Sequence, residues 1–245
     1  MKCLILAAGY ATRLYPLTEN FPKPLLEIRG RTILDRIIDD IEPSGHIDEY
    51  IVISNHRFAH IFSQWADSHR CKITVIDDGT DSNESRLGAV RDMEFALKEL
   101  NAEDDFLVMA GDNLLDFSLR TFIDYGIEKN APCTMRYFEN SEAKLLKSGI
   151  VTVDTDDRII RMTEKSPTPE TNWVSVAFYY YPKLSSQQIT TALNSGCGQD
   201  APGSLMAWFS KHTDCFAMKM PGKRYDIGDI KSYEQAQKEF KGIIL

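Results

Sequence analysis

Leu4-Ile-Leu-Ala-Ala8 is apolar at every position and runs directly into Gly9. A strand with one wet face alternates apolar and polar residues, so a short unbroken apolar run is expected of a strand buried on both faces of a parallel sheet. Gly9 lets the backbone turn and approach a ligand with no β-carbon in the way. Arg13 follows with a planar fork of donors suited to phosphate oxygens, and Lys23 is a point charge held between Pro22 and Pro24, whose φ angles are fixed. Singly, a glycine after a strand is a turn and a loop cation is solvated. Together, at this spacing, they read as a nucleoside triphosphate site.

Strand and helix patterns then alternate. Helical periodicity over 32–41 puts Ile33, Leu34, Ile37, Ile38 and Ile41 on one face, and further helices are expected over 58–66 and 90–100. Strands are expected over 50–54, 73–76 and 106–110, which predicts a doubly wound, largely parallel sheet. Beyond about residue 130 the texture changes to closely spaced strands over 133–138, 149–153, 159–163 and 174–181. Helices over 182–193 and 203–212, a strand over 215–220 and a helix over 230–240 complete the reading. No linker composition divides the 245 residues, so one domain is expected.

Asp112 follows the apolar run 106–110, at the carboxyl end of a buried strand, where open α/β sheets bind ligands. Asp226 is expected in a strand-to-helix loop between Met220 and Ile230. Magnesium takes oxygen ligands, commonly one or two carboxylates plus substrate phosphates. The competing readings are an Asx turn at Asp112 and a helix cap at Asp226, although Asp229 is the better cap. Asp154-Thr-Asp156 fits an acid-x-acid metal motif of glycosyltransferases, but between two strands it reads as a solvated hairpin turn.

Apolar residues at 43% and charged residues at 26% are ordinary for a soluble enzyme, and no apolar run approaches the ~20 residues that span a bilayer. With no convincing signal sequence, a cytoplasmic protein is expected. The net charge of −8 argues against nucleic-acid or anionic-membrane binding. Five cysteines with no Cys-x-x-Cys pair read as reduced, mostly buried thiols.

The string Leu6-Ala-Ala-Gly-x-x-Thr-Arg-Leu-x-Pro-Leu-Thr-x-x-x-Pro-Lys-Pro-Leu resembles the signature of the sugar-phosphate nucleotidyltransferases, the pyrophosphorylases that make nucleoside-diphosphate sugars. Later fragments match in order: Arg86-Leu-Gly88-Ala, Ala110-Gly-Asp112-Asn, Gly149-Ile-Val, Glu164-Lys165 and Tyr225-Asp-Ile-Gly228. The resemblance implies an α/β fold, a three-layer α/β/α Rossmann-like nucleotide-diphospho-sugar transferase with a mainly parallel mixed sheet. It implies a nucleotide-binding half over about 1–130 and an acceptor-binding half over about 131–245.

By resemblance, Leu6, Ala7, Ala8, Gly9, Arg13, Lys23, Gly88 and Asp112 bind the nucleotide, and Gly149, Glu164, Lys165 and Ser175 bind a sugar 1-phosphate. Asp112 and Asp226 carry Mg²⁺, and Arg13, Lys23 and Lys165 are catalytic. Gly88 equally reads as a loop glycine before a helix, and Glu164-Lys165 as an exposed pair worth little to stability. Trp173, Ser175 and Val176 are expected along the acceptor side, although such residues in strands are more often simply packed. Where the family commonly has proline after Glu-Lys, this chain has Ser166.

The implied reaction releases pyrophosphate and forms a nucleoside-diphosphate sugar, with a homo-oligomer in keeping with the family. Two alternatives stand beside it: a cytidylyltransferase for a small phosphorylated alcohol or phosphonate, and a catalytically silent regulatory module. Retention of Arg13, Lys23, Asp112, Lys165 and Asp226 argues against the second, since clustered ionisable groups favour function. The Arg13 and Lys23 arrangement disfavours a glycosyltransferase.

Overall fold

The computed structural model describes residues 1–101 and 103–243. The first part of the chain forms β1 (Lys2–Leu6), β2 (Glu27–Ile28), β3 (Arg31–Thr32), α1 (Ile33–Ile41), β4 (Glu49–Ser54), α2 (His56–Ala66), β5 (Ile73–Asp77) and α3 (Ala89–Glu99). There follow β6 (Phe106–Ala110), β7 (Asn113–Leu115), α4 (Arg120–Lys129), β8 (Cys133–Phe138), α5 (Glu142–Leu145), β9 (Gly149–Val153), β10 (Ile159–Glu164) and β11 (Trp173–Tyr181). The last elements are α6 (Lys183–Ser186), α7 (Ile189–Asn194), α8 (Gly203–Phe209), β12 (Phe216–Lys219), β13 (Arg224–Asp226) and α9 (Ile230–Glu239). The chain folds as two compact units, each assembled from separated segments. One comprises Met1–Arg86, Ala110–Thr121 and the residues from Pro221 onward, and the other Leu87–Met109 and Phe122–Met220.

In the first unit β1, β4 and β5 are parallel, with Leu4 opposite Ile51 and Val52 opposite Val75. Cys3, Leu4, Ile5 and every residue of β4 are buried, as two-sided burial of the apolar runs predicts. Thr32 caps α1, its hydroxyl accepting from the Asp35 amide, and all five isoleucine and leucine positions read from the periodicity are buried. A second small ladder pairs β7 with β13, antiparallel.

In the second unit the nine-residue β11 is antiparallel to β6, β8 and β9, β10 folds back on β9, and β12 runs parallel to β8. Parallel and antiparallel pairings thus coexist in a mixed α/β architecture. The Asp154 turn joins β9 to β10 as expected, its carboxylate accepting from the Asp156 and Arg158 amides.

The expected helix over 182–193 needed correction, and α4 and the four-residue α5 lie outside the expected helices. The single helix over 182–193 is two short ones, because the backbone turns at Gln187 and Gln188. Helix α4 was not foreseen: Gly126 in its middle weakens the helical pattern. The glycine has a packing cause, since a β-carbon there would lie 2.5 Å from Cγ of the buried Tyr180. All five cysteines are free thiols and four are buried; burial pushes Cys133 up to about 12 and Cys197 up to about 11, which keeps them protonated. Among the described residues no helix is long and apolar enough to cross a membrane.

Alanine is favoured over glycine inside a helix by roughly 1 kcal/mol, yet overpacking a core costs about 1–3 kcal/mol. Gly126→Ala is therefore expected to lower stability despite its better helix propensity. A lower urea midpoint with an unchanged slope would report this.

Candidate functional site

The loop after β1 is anchored through its backbone. The Leu6 carbonyl accepts from the Gly111 amide, the Ala7 amide donates to Ile53, and the Ala8 carbonyl accepts from the buried Asn55 amide group. Asn55 also caps α2 by accepting from the Phe58 amide, so one side chain ties the loop to the adjacent helix start. Gly9 is exposed, and a β-carbon on it would meet no protein atom within 4 Å. Its openness, not an unusual φ, is what the structure shows. The positive φ of this loop falls on Ala11 instead, where Thr18 holds the carbonyl through a 2.8 Å hydrogen bond. Arg13 is exposed, with its guanidinium nitrogens 3.9 and 4.0 Å from the position a Gly228 β-carbon would take.

Lys23 opens a short 3₁₀ turn and is nearly buried, its side chain 10% exposed. Its Nζ donates to Asp112 Oδ2 at 2.7 Å. The following Pro24 packs on Gly111, where a β-carbon would approach the proline Cγ to 3.1 Å. A small residue at 111 therefore lets the Lys23 turn lie against the end of β6. Burial by itself would raise the Asp112 carboxyl, but the Lys23 ammonium and the Arg224 guanidinium outweigh it and hold the group below its ordinary value. Asp112 is thus not simply the acceptor of an Asx turn.

Asp226 required a correction of place. It ends a strand of its own, β13, and stands opposite Asn113, the residue after Asp112. Asp229 is the cap of α9, with a reciprocal Ser232 capping box. The ladder between β7 and β13 is what brings the two sequence-distant aspartates onto neighbouring backbone. Asn113 and Arg224 complete the group and were missed. Asn113 donates to Asp112 Oδ1 at 2.9 Å and accepts from Arg224 at 2.6 Å, and Arg224 lies 3.6 Å from Asp226 Oδ2. The sequence signals were adjacency to the two aspartates and, for Asn113, its place in the Ala110-Gly-Asp112-Asn fragment, since strands of three residues carry no readable alternation.

In the second unit, strand register gathers the expected acceptor residues. Gly149 on β9 stands opposite Glu164 on β10 and opposite Ser175 on β11, which makes one row across three strands. A β-carbon on Gly149 would come within 2.8 Å of Glu164 Oε2, and one on Gly203 of α8 would collide with the same oxygen. Two glycines thus make the space that the carboxyl occupies. Burial pushes Glu164 up to about 7, with Lys165 pulling weakly the other way. Ser175 shares a hydrogen bond with Thr134.

Lys165 is exposed at φ 50, its amide donating to the Ser148 carbonyl, and Ser166 builds its own turn by accepting from the Thr168 amide. Gly88 caps α3 at φ 95 and packs on the Gln199 carbonyl, which accounts for a glycine there on structural grounds. Val176 faces the core and Trp173 packs between Phe138 and Arg136, so these two are packed as strand residues usually are.

Among proteins already known, a family model described as Nucleotidyl transferase matches residues 2–242. The chain is 27% identical over 249 residues to a UTP–glucose-1-phosphate uridylyltransferase of Synechocystis sp., covering 96% of this chain and 62% of that protein. It is 26% identical over 229 residues to the bifunctional protein GlmU of Methanocaldococcus jannaschii, covering 93% of this chain and 51% of that one. The chain therefore spans less than two thirds of either relative. A crystal structure of UDP-glucose pyrophosphorylase complexed with UDP-glucose superposes with a TM-score of 0.81 at 17% identity, covering 98% of this chain and 97% of the other. That likeness is one of fold, and it bears out the expected Rossmann-like α/β/α architecture.

Glu164 generates a pH prediction. With its folded-state value raised from 4.5 to about 7, the folded chain retains a proton that the unfolded chain has lost, so stability falls as pH rises between those values. The contribution present at pH 4 and lost by pH 8 is at most about 3 kcal/mol. Glu164→Gln should flatten this decline, which urea titrations at several pH values would measure.

Proposed function

Because this chain belongs to the nucleotidyl transferase family, we propose that it transfers a nucleoside monophosphate from a nucleoside triphosphate to a sugar 1-phosphate, releasing pyrophosphate and forming a nucleoside-diphosphate sugar. The observation that carries the reading is the buried ammonium of Lys23 on Asp112, whose neighbour Gly111 bonds to Leu6 at the start of the open Gly9 loop and whose neighbour Asn113 pairs with Asp226 across the strand ladder. Nucleotidyl transfer needs charge neutralised and phosphates positioned more than it needs a covalent intermediate. In this reading the Leu6–Gly9 backbone, Arg13 and Lys23 hold the triphosphate, and the Arg86–Gly88 segment lies against the base. Gly149, Glu164 and Ser175 hold the sugar, where a carboxyl in a glycine-walled niche suits hydroxyl groups. Lys165 orients the attacking phosphate.

Asp112 and Asp226 would hold a magnesium ion. The donor set fits: both are hard oxygen ligands, and two carboxylates plus phosphates are what magnesium usually takes. Among the described residues no group of three or more acidic, histidine or cysteine side chains forms a cage, so the remaining ligands would be phosphates and water. When bound, the ion supplies positive charge to the triphosphate. Buried, protonated thiols suit a reducing compartment, and we place the enzyme in the cytoplasm.

Pyrophosphate release tests the reading, with ATP, GTP, CTP, UTP and dTTP each paired with sugar 1-phosphates and phosphorylated alcohols in magnesium buffer. One productive pair is expected, and Lys23→Ala or Arg13→Ala should each cost about 2–4 kcal/mol of transition-state stabilisation, or about 30- to 10³-fold in kcat. Release only with CTP and a phosphorylated alcohol would replace the sugar acceptor. No release and no triphosphate binding would sink the reading.

A further inference from the structure

Cross-strand partners and residues two apart lie on one face of an antiparallel ladder, so Asn113, Asp226 and Arg224 share a face of the β7–β13 pair. On the opposite face Leu114 is buried and Tyr225 sets its ring edge-on to Phe240 at 5.7 Å. The apolar face holds the strands in place. The other face carries Asn113, Asp226 and Arg224 together with the buried Leu115, which pairs with Arg224.

We propose that Arg224 is a positioning residue that sets both carboxylates of the Asp112–Asp226 centre at once, directly at Asp226 and through the Asn113 amide at Asp112. The inference rests on the reading of those aspartates as the magnesium ligands. Asn113 is 2% exposed and has no bulk water to turn to. Its carbonyl oxygen is taken by Arg224 Nη1 at 2.6 Å, so its N–H is directed at Asp112 Oδ1, 2.9 Å away. Lys23 holds the other oxygen, Oδ2. The carboxylate plane of Asp112 is thereby fixed at both oxygens. The second guanidinium nitrogen lies 3.6 Å from Oδ2 of Asp226, whose side chain is 57% exposed and has no such burial to orient it.

Without the guanidinium, the buried Asn113 oxygen loses its donor and the amide is held only at its N–H by Asp112, so its plane, and the direction from which it meets Asp112, are no longer fixed. A lysine at 224 keeps the charge but not the planar fork that reaches two acceptors in fixed directions. Removing a residue that orients metal ligands from behind weakens metal binding about 10–100-fold. The role is orientation, so it moves metal affinity more than nucleotide affinity measured without metal.

The test is Mn²⁺ binding to the full chain, followed by the paramagnetic resonance signal of free Mn²⁺ with a non-hydrolysable triphosphate present, in wild type, Arg224→Lys and Arg224→Met. Triphosphate affinity in EDTA and the thermal midpoint are measured alongside. Both variants are expected to bind Mn²⁺ about 10–100-fold more weakly, with the EDTA affinity and midpoint close to wild type. Should Arg224→Met fail to fold, Arg224→Lys, which keeps the charge and stem, decides alone. Wild-type Mn²⁺ affinity in Arg224→Lys overturns the proposal, as does an equal loss of triphosphate affinity in EDTA. A wild-type chain that binds no Mn²⁺ overturns the magnesium reading itself, and with it the role of Arg224.

Discussion

The ion pair of Lys23 with Asp112 joins side chains 89 residues apart, and much of the first unit is arranged to permit it. Pro22 and Pro24 restrict the turn that carries the lysine, Gly111 leaves room for Pro24, and the Leu6 carbonyl secures the Gly111 amide. Burying an ammonium this far carries a desolvation penalty that a close carboxylate offsets only in part. A well-packed apolar pair would serve stability as well or better. The arrangement is understandable if the charge itself is wanted, held dry and ready for an anion, because electrostatic interactions strengthen as water is excluded.

The two units treat a partly buried carboxyl in opposite ways. Asp112 has donors on both oxygens and two cations nearby, so it stays ionised against the effect of burial. Glu164 sits between two glycines with Lys165 as its weak cationic influence, so burial prevails and its value rises. In the proposed reading, the first group would face positive charge and the second would exchange hydrogen bonds with neutral hydroxyls. Environment, not residue type, divides these roles.

Much of this was legible in the chain. The runs 4–8 and 106–110 are continuously apolar and proved to be buried strands, and the spacing of Ile33, Leu34, Ile37, Ile38 and Ile41 marked the buried face of α1. Asp229 as a cap and Asp154 as a turn residue were also readable, since both act on backbone within four residues. What escaped were elements too short or too compromised to show a period. Strands β7 and β13 have three residues each, and α4 carries a glycine whose cause is the Tyr180 ring, 54 positions later in the chain. Asp226 was visible as a residue but misplaced in a loop, because its strand exists only by pairing with β7.

The sequence by itself determined which residues were apolar strands and helix faces, where charge was concentrated, and that cations followed a small-residue loop, because these depend on interactions within a few positions. Tertiary structure alone decided that Lys23 would meet Asp112, that Asn113 and Arg224 would link Asp112 to Asp226, and that Glu164 would lie in a row with Gly149 and Ser175. These depend on strand register and on which distant backbone is close enough to demand a glycine. A shift of one residue would turn each side chain to the other face, and nothing local in the sequence specifies that choice.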